Sequence, residues 1–269
     1  MKVLNYGSLN VDYVYSVDHI IVGGETQHSS KLEVFSGGKG LNQSIALAKA
    51  GVPVYHAGIV GTDGDILLEA CKEAGVNTKY IRRLPVKGGH TMIQVDKNAQ
   101  NCIILYGGTN QMQTKEFVDE VLADFGEGDY LMLQNEINML DYIIDQAYEK
   151  KMKIVMNPSP FDDKLSTCDL SKVYLFLVNE IEGEQITGCK DKDQILDAMA
   201  ARFPNARFVL TLGSDGAVYY DGKEKVFQDI FKVKAVDTTA AGDTFTGYFI
   251  AAVIEGRSIQ EALRMAAKA

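Results

Sequence analysis

Apolar and polar positions change period along the chain, and the changes mark its elements. After a short apolar strand over 3–6, Val11, Tyr13, Tyr15 and Val17 alternate with Asp12, Val14 and Ser16. Alternation with period two predicts a half-exposed strand over 11–18, one face packed and the other wet. Comparable stretches recur at 27–36, 90–96 and 101–106, the last two joined by the polar turn Lys97-Asn98-Ala99-Gln100. Together these segments predict a small antiparallel sheet standing apart from a main body.

Elsewhere the pattern is helical or unbroken. Leu41, Ile45 and Ala48 share one face of a helix over 39–50, with Gly51 as its stop. An apolar strand over 54–60 follows, then a helix capped by Asp63, running to Ala74 and ended by Gly75. Strands at 130–133, 153–156, 174–178 and 208–212 then alternate with helices at 114–124, 138–151, 180–187 and 193–202. Such alternation predicts an α/β fold: a doubly wound, mostly parallel central sheet with helices on both faces and ligands beyond the carboxyl ends of its strands. Asp221-Gly222 predicts a hairpin between 217–220 and 225–227. The last helix, 258–269, stops among small residues without a capping glycine, so a further C-terminal segment is expected.

Composition narrows the function classes. With 269 residues and 46% hydrophobic content, the chain can bury a large core. A net charge of −9, with no run of Lys or Arg longer than two, argues against a nucleic-acid partner, which needs a basic surface. Cys71, Cys102, Cys168 and Cys189 fall at wide, unclustered spacings and read as buried thiols in a reducing compartment. No secretory h-region or membrane-length apolar run occurs, so the expectation is a cytoplasmic protein with no membrane partner.

The stretch from Val236 to Tyr248 concentrates the chemistry. Ala240, Ala241 and Gly242 are small enough for backbone N–H groups to approach a ligand, and an apolar helical face with Phe245, Tyr248, Phe249 and Ala252 follows. A small-residue loop opening a helix is an anion cradle, because unpaired N–H groups and the positive dipole end point outward together. Asp243 sits at that junction, either as a first-turn carboxylate favoured by the dipole or as a base taking a proton from a hydroxyl that attacks a bound phosphate.

Other stretches at predicted strand ends carry weaker signals. Gly37-Gly38-Lys39-Gly40 opens a helix and adds Lys39 and Asn42 as donors, without the spacing of a Walker A loop or a Rossmann fingerprint. Asn10 and Asp12 share a face under strand alternation and suit a polyol, whose hydroxyls both donate and accept; turn formation is the alternative. Glu136 follows a buried strand, where it can accept from a sugar hydroxyl or simply face solvent. Asn179 and Glu182 either serve phosphates and a hydrated Mg²⁺ or form a capping box. The turn Thr211 to Gly216 can offer N–H groups to a nucleotide.

Taken in order, these stretches resemble the ribokinase-like sugar kinases, the phosphofructokinase-B family. Its first signature is similar to Gly37-Gly38-Lys39-Gly40-Leu41-Asn42-Gln43, its second to Asp237-Thr238-Thr239-Ala240-Ala241-Gly242-Asp243-Thr244-Phe245. Gly7 to Asp12, Gly24-Glu25-Thr26 and Gly107-Gly108-Thr109-Asn110 fit the ribokinase branch. The resemblance covers essentially the whole chain. It implies sugar contacts from Asn10, Asp12, Gly38, Lys39, Asn42 and Glu136, with Asp243 as the base for the 5-hydroxyl and Ala240, Ala241 and Gly242 as the anion hole. It implies ATP held by Asn179, Thr211, Gly213, Ser214, Asp215, Gly216 and Gly242, Mg²⁺ reached through water from Glu182, and an activating K⁺ at Asp237 and Thr239. The implied reaction converts D-ribose and ATP to D-ribose 5-phosphate and ADP, with the four alternating strands as a small antiparallel β lid over the sugar that also joins a homodimer. Alternatives are a kinase for another small sugar or a nucleoside, or a sugar-binding protein of weak activity. The chain departs from the branch at Ala267, where an Asn or His commonly lines the nucleotide site, and at Ile20-Ile21-Val22-Gly23, which lacks the usual prolines.

Overall fold

The computed structural model describes residues 1–232 and 239–269. In chain order the first half comprises β1 (Val3–Tyr6), β2 (Asn10–Ser16), β3 (Lys31–Gly37), α1 (Lys39–Lys49), β4 (Val54–Val60), α2 (Asp65–Ala74), β5 (Asn77–Arg83), β6 (Gly89–Val95), β7 (Asn101–Tyr106) and α3 (Lys115–Leu122). The second half comprises β8 (Tyr130–Gln134), α4 (Leu140–Glu149), β9 (Lys153–Asn157), β10 (Leu175–Asn179), α5 (Glu180–Thr187), α6 (Lys192–Arg202), β11 (Arg207–Thr211), β12 (Ala217–Tyr220), β13 (Lys225–Gln228), α7 (Ala241–Ile254) and α8 (Ile259–Lys268).

Strand residues alternate between two apolar layers, which is why the main strands read as unbroken apolar runs. Leu4, Leu131, Leu133, Phe176 and Phe208 pack on one face with residues of α3, α4 and α6. Val3, Tyr130, Met132, Leu177 and Val209 pack on the other with residues of α1, α2, α7 and α8. Each large side chain buried this way contributes about 1.5–3 kcal/mol relative to exposure. The result is a nine-stranded sheet in the order β13-β12-β11-β10-β9-β8-β1-β4-β5. It is parallel from β5 to β11, and the β12–β13 hairpin closes one edge antiparallel. Strand β5 was not marked by the apolar pattern. It is an edge strand, and Asn77-Thr78-Lys79-Tyr80-Ile81-Arg82-Arg83 has no apolar face to signal it.

A second sheet, in the order β3-β2-β6-β7, stands on the first. Its outer pairs are antiparallel, as expected, but its central pair, β2 with β6, is parallel. The register gives the reason: Asn10 lies opposite Gly89, so both strands start at the same rim and run the same way. Strand β3 starts at Lys31 rather than 27, because Ser30 N–H turns back to the Ser16 carbonyl at 2.9 Å. Asp63 does not cap α2. Gly64 takes the cap position without a side-chain bond, while Asp63 accepts from Gly88 N–H at 2.9 Å and pairs with Lys87 at 2.7 Å, a charged partner that outcompetes a helix end.

Candidate active site

The carboxyl end of β1 meets the start of α1 at van der Waals limits. A Cβ on Gly40 would run into Ser8 N and Gly7, so glycine is required there. Closeness lets Ser8 serve the helix from outside: its carbonyl accepts Leu41 N–H at 3.0 Å and its Oγ accepts Gly40 N–H at 3.2 Å. The cap residue itself, Gly38 at φ 94°, has no side chain to do so. Ser8 Oγ in turn donates to Glu136 Oε2, which also accepts Lys39 N–H at 3.1 Å. Glu136 thus closes the N-terminus of α1, where the dipole favours a carboxylate. Burial nevertheless raises its pKa, against the pull of Ser8 and Lys39, and the negative Asp243 adds to the rise.

Asn10 and Asp12 stand at the base of the small sheet. Asn10 Oδ1 accepts Asn110 Nδ2 at 2.7 Å, and the Asn110 amide also brackets the Leu9 backbone. Asp12 Oδ1 accepts Thr91 Oγ1 at 2.6 Å; burial pushes its pKa up, with Thr91 opposing. A side chain on Gly37 would overlap the Asp12 carboxylate, so this glycine of the first signature makes room for Asp12.

Asp243 is 8% exposed and lies in the first turn of α7. Asn42 Nδ2 reaches its Oδ2 at 3.1 Å and Gln43 Nε2 its Oδ1 at 2.9 Å. The two helices come close enough because Gly247 of α7 lies against Ala46 and Leu47 of α1 with no space for a Cβ. Ala240, left-handed at φ 58°, begins α7 and provides no side-chain cap. The first N–H groups of that helix therefore have no intrahelical acceptor.

Asp243 and the start of α7 line a cavity of about 260 Å³. One wall is Lys39, Ala240, Ala241, Gly242 and Asp243; the other includes Asn157, Ser159, Asn179, Glu182 and Thr211. Asn179 and Glu182 do form a capping box: Asn179 Oδ1 accepts Glu182 N–H at 2.9 Å, and Glu182 Oε2 accepts Asn179 N–H at 3.1 Å. Gly213, Ser214, Asp215 and Gly216 form a turn just past β11 and do not line the cavity. Gly216 is obligatory at φ 93°, because a Cβ would strike the Gln228 carbonyl. Asp237 lies outside the described residues, and Thr239 directly precedes Ala240.

Lys39, Asp243, Ala240 to Gly242, Asn179, Glu182 and Thr211 therefore share one cavity. Glu136 and Asn42 adjoin it through Lys39 and Asp243, while Asn10 and Asp12 sit at the base of the second sheet. Sequence reasoning missed Ser8, Gln43, Asn157, Ser159 and Gln134. The readable signal for Gln134 was a polar residue ending a buried apolar strand. Among the described residues, no cluster of His, Cys, Asp and Glu is arranged to hold a metal by itself, and no helix is long and apolar enough to cross a membrane.

Known proteins share this fold. The chain matches the description "pfkB family carbohydrate kinase" over residues 1–269. It is 33% identical to a ribokinase of Haemophilus influenzae, over 96% of this chain and 87% of the relative. A deoxyribokinase of Salmonella typhi is 28% identical over 99% of this chain and 90% of its own. The structure of Arabidopsis thaliana ribokinase complexed with ribose and ATP superposes with a TM-score of 0.85, at 28% identity, covering 99% of this chain and 90% of that one. The sequence signatures, the two-sheet architecture and these likenesses agree, and the chain belongs to the pfkB family of carbohydrate kinases.

Proposed function

We propose that the protein transfers the γ-phosphoryl group of ATP to the primary hydroxyl of D-ribose, giving D-ribose 5-phosphate and ADP. One observation supports this reading above others: the Asp243 carboxylate, fixed by two amides, shares a cavity with the uncapped N-terminus of α7. A base and an anion hole side by side suit attack by a hydroxyl on a phosphate.

In this scheme the sugar lies between the second sheet, acting as a lid, and α1. Asn10, Asp12, Gly38, Lys39, Asn42 and Glu136 hold it. The 5-oxygen bonds to the γ-phosphorus as the bond to the β–γ bridging oxygen breaks, and the hydroxyl proton passes to Asp243. N–H groups at Ala241, Gly242 and Asp243 take up charge on the transferring group, with Ala240 setting their direction. Asn179, Thr211 and the turn Gly213, Ser214, Asp215, Gly216 lie on the nucleotide side. A hydrated divalent ion fits the opposite wall, where Glu182 offers its second oxygen and Asn157 Oδ1 is a buried acceptor without a partner. Mg²⁺ bound there supplies charge neutralisation to the phosphates. An activating K⁺ at Asp237 and Thr239 belongs to the same proposal, as does a homodimer through the lid, whose Leu32, Val34, Phe35, Ile103 and Ile104 are exposed. Four free cysteines suit a cytoplasmic setting, although Cys71 is buried as expected while Cys102, on the edge strand β7, is exposed and Cys168 and Cys189 are half-buried.

Asp243→Asn is the direct test. General-base assistance contributes roughly 10²–10⁴-fold, so turnover should fall by that much while ribose binding, read by calorimetry, stays near normal. Near-normal turnover would remove Asp243 from the role. Assays on ribose, 2-deoxyribose, fructose and adenosine settle the acceptor. Deoxyribose is the second reading, favoured by the likeness to a deoxyribokinase.

A further inference from the structure

Behind Asp243 runs a chain of buried side chains that the phosphoryl-transfer scheme does not use. Gln43 Nε2 donates to Asp243 Oδ1 at 2.9 Å, and Gln43 Oε1 accepts Gln134 Nε2 at 2.7 Å. Gln134 Nε2 also donates to Asn5 Oδ1 at 3.0 Å. Asn5 Nδ2 donates to the Gly40 carbonyl at 2.7 Å and to Ser44 Oγ at 2.9 Å, and Ser44 Oγ meets His56 Nδ1 at 2.7 Å. Asn5, Gln43, Ser44, His56 and Gln134 are each no more than 1% exposed.

Donor and acceptor chemistry allows this chain one arrangement. At one end the Gly40 carbonyl can only accept, so Asn5 must turn Nδ2 toward it and Oδ1 toward Gln134. At the other end a carboxylate can only accept, so Gln43 must turn Nε2 toward Asp243 and Oε1 toward Gln134. Both ends require Gln134 to present its nitrogen, and it does. Ser44 Oγ accepts from Asn5 and is bonded to His56 Nδ1, whose ring is neutral because burial lowers its pKa to about 4. Turning any one amide would set like groups together without water, a fault costing about 1–3 kcal/mol per buried atom. Gln134 Oε1 is left without a partner and faces Gly7, where a side chain would collide with it.

We propose that Gln43 and Gln134 are positioning residues for the proposed base: this single-register amide chain, rooted in β1 and β8, sets the rotation of the Asp243 carboxylate. The proposal rests on Asp243 acting as the base. Rotation about the last bond of an aspartate is broad and nearly two-fold, so packing alone fixes it poorly. Asn42 holds the second oxygen but also faces the sugar. Gln43 is wholly internal and cannot follow the substrate, so Asp243 keeps its aim whether the site is filled or empty. Misplacing a reacting group by about 1 Å costs on the order of 10²-fold in rate.

Gln43→Met keeps the length and removes the donor. It should lower kcat by roughly 10²-fold with KM for ribose within about threefold, since no sugar contact is lost. The acid limb of the kcat–pH profile should move to higher pH, because the carboxylate loses a donor that favours its charged form. Among the described residues, the other charged groups around Asp243 are Lys39 from α1, Glu136 beyond β8 and Glu182 from α5, and none is altered. Gln134→Met should give a smaller loss of the same kind, and Gln134→Glu a larger one, because a carboxylate there faces two acceptors. A Gln43→Met enzyme with unchanged kcat, a loss confined to KM, or an unmoved acid limb each overturns the proposal. If Gln43→Met does not fold, the unaltered protein decides: the ¹⁵N-labelled side-chain amide of Gln43 should titrate with the acid limb, and a pH-insensitive amide overturns it. Asp243→Asn separates the two ideas. If it is inactive beside a normal Gln43→Met enzyme, only the positioning role falls; if it is active, the base assignment falls and the positioning role with it.

Discussion

Two helix N-termini line the same cavity, and they are finished in opposite ways. Helix α5 is closed by its own residues, Asn179 and Glu182 exchanging backbone bonds in a capping box. Helix α7 begins at a left-handed Ala240 with no side-chain cap. The dipoles are alike, so the difference lies in which N–H groups are already spoken for. A third helix supports the contrast, since Ser8 and Glu136 close the start of α1. Of these three, α7 alone has no side-chain cap among the described residues, which leaves its first N–H groups for a phosphate. At α5 the side chains have become structural, which leaves one oxygen of Glu182 for the cavity and little anion affinity in the backbone.

The contrast is broken most directly by finishing α7 in the manner of α5. A Cβ on Gly242 meets nothing within 4 Å among the described residues, so Gly242→Glu brings a carboxylate into the first turn. Helix dipole and carboxylate attract by about 0.3–1 kcal/mol, so the fold should be unharmed or slightly stabilised while kcat/KM for ATP drops by at least ~10²-fold. Melting curves and steady-state kinetics on one preparation would show the opposite signs; retained activity would mean that α7 is not the anion site.

The next effect comes from the buried network behind α7. His56 has its pKa lowered from 6.5 to about 4 by burial, outweighing the Gly7 carbonyl. Its folded value lies below its unfolded one, so the unfolded chain takes up the proton first as pH falls. Stability is therefore full above pH 6.5 and declines toward pH 4, by about 3 kcal/mol from this residue. Denaturant titrations of the parent and of His56→Gln across that range should show a shallower decline in the variant. Parallel curves would mean that His56 is not the group responsible.

The smallest effect is expected on the side already closed. Asn179→Ala removes a cap, costing about 1 kcal/mol, or roughly 2–4 °C in Tm for a chain of this size. Activity should fall far less than in Gly242→Glu. A loss of turnover equal to that of Gly242→Glu would erase the distinction between the two helix ends.

Much of the architecture was legible because both faces of the main sheet are covered. Buried strands such as β4 and helices such as α5 announce themselves by period, and their bounds agree with the apolar pattern. The parts that stayed hidden depend on what a residue meets far away. Strand β5 is an edge strand paired on one side only, Asp63 preferred Lys87 to a helix end, and β2 pairs with β6 in the direction imposed by a shared rim. The cavity residues lie in stretches that the pattern already placed at strand ends. Gln134 showed only as a polar residue ending a buried apolar strand, and Gln43 as a signature position without a role, because a glutamine reveals its partners only when the chain has folded.

The close packing of α7 on α1 also orders events in time. Asn42 and Gln43 are separated from Asp243 by 201 and 200 positions. At the roughly 5–20 residues per second of synthesis, the amides wait on the order of 10–40 s for the carboxylate they hold. A nascent chain can already join β1, α1 and β8 and so assemble Asn5, Gln43 and Gln134 into their shared register. The receiving surface is thus finished before the reactive group exists, and the last third of the polypeptide delivers Asp243 into a socket made in advance.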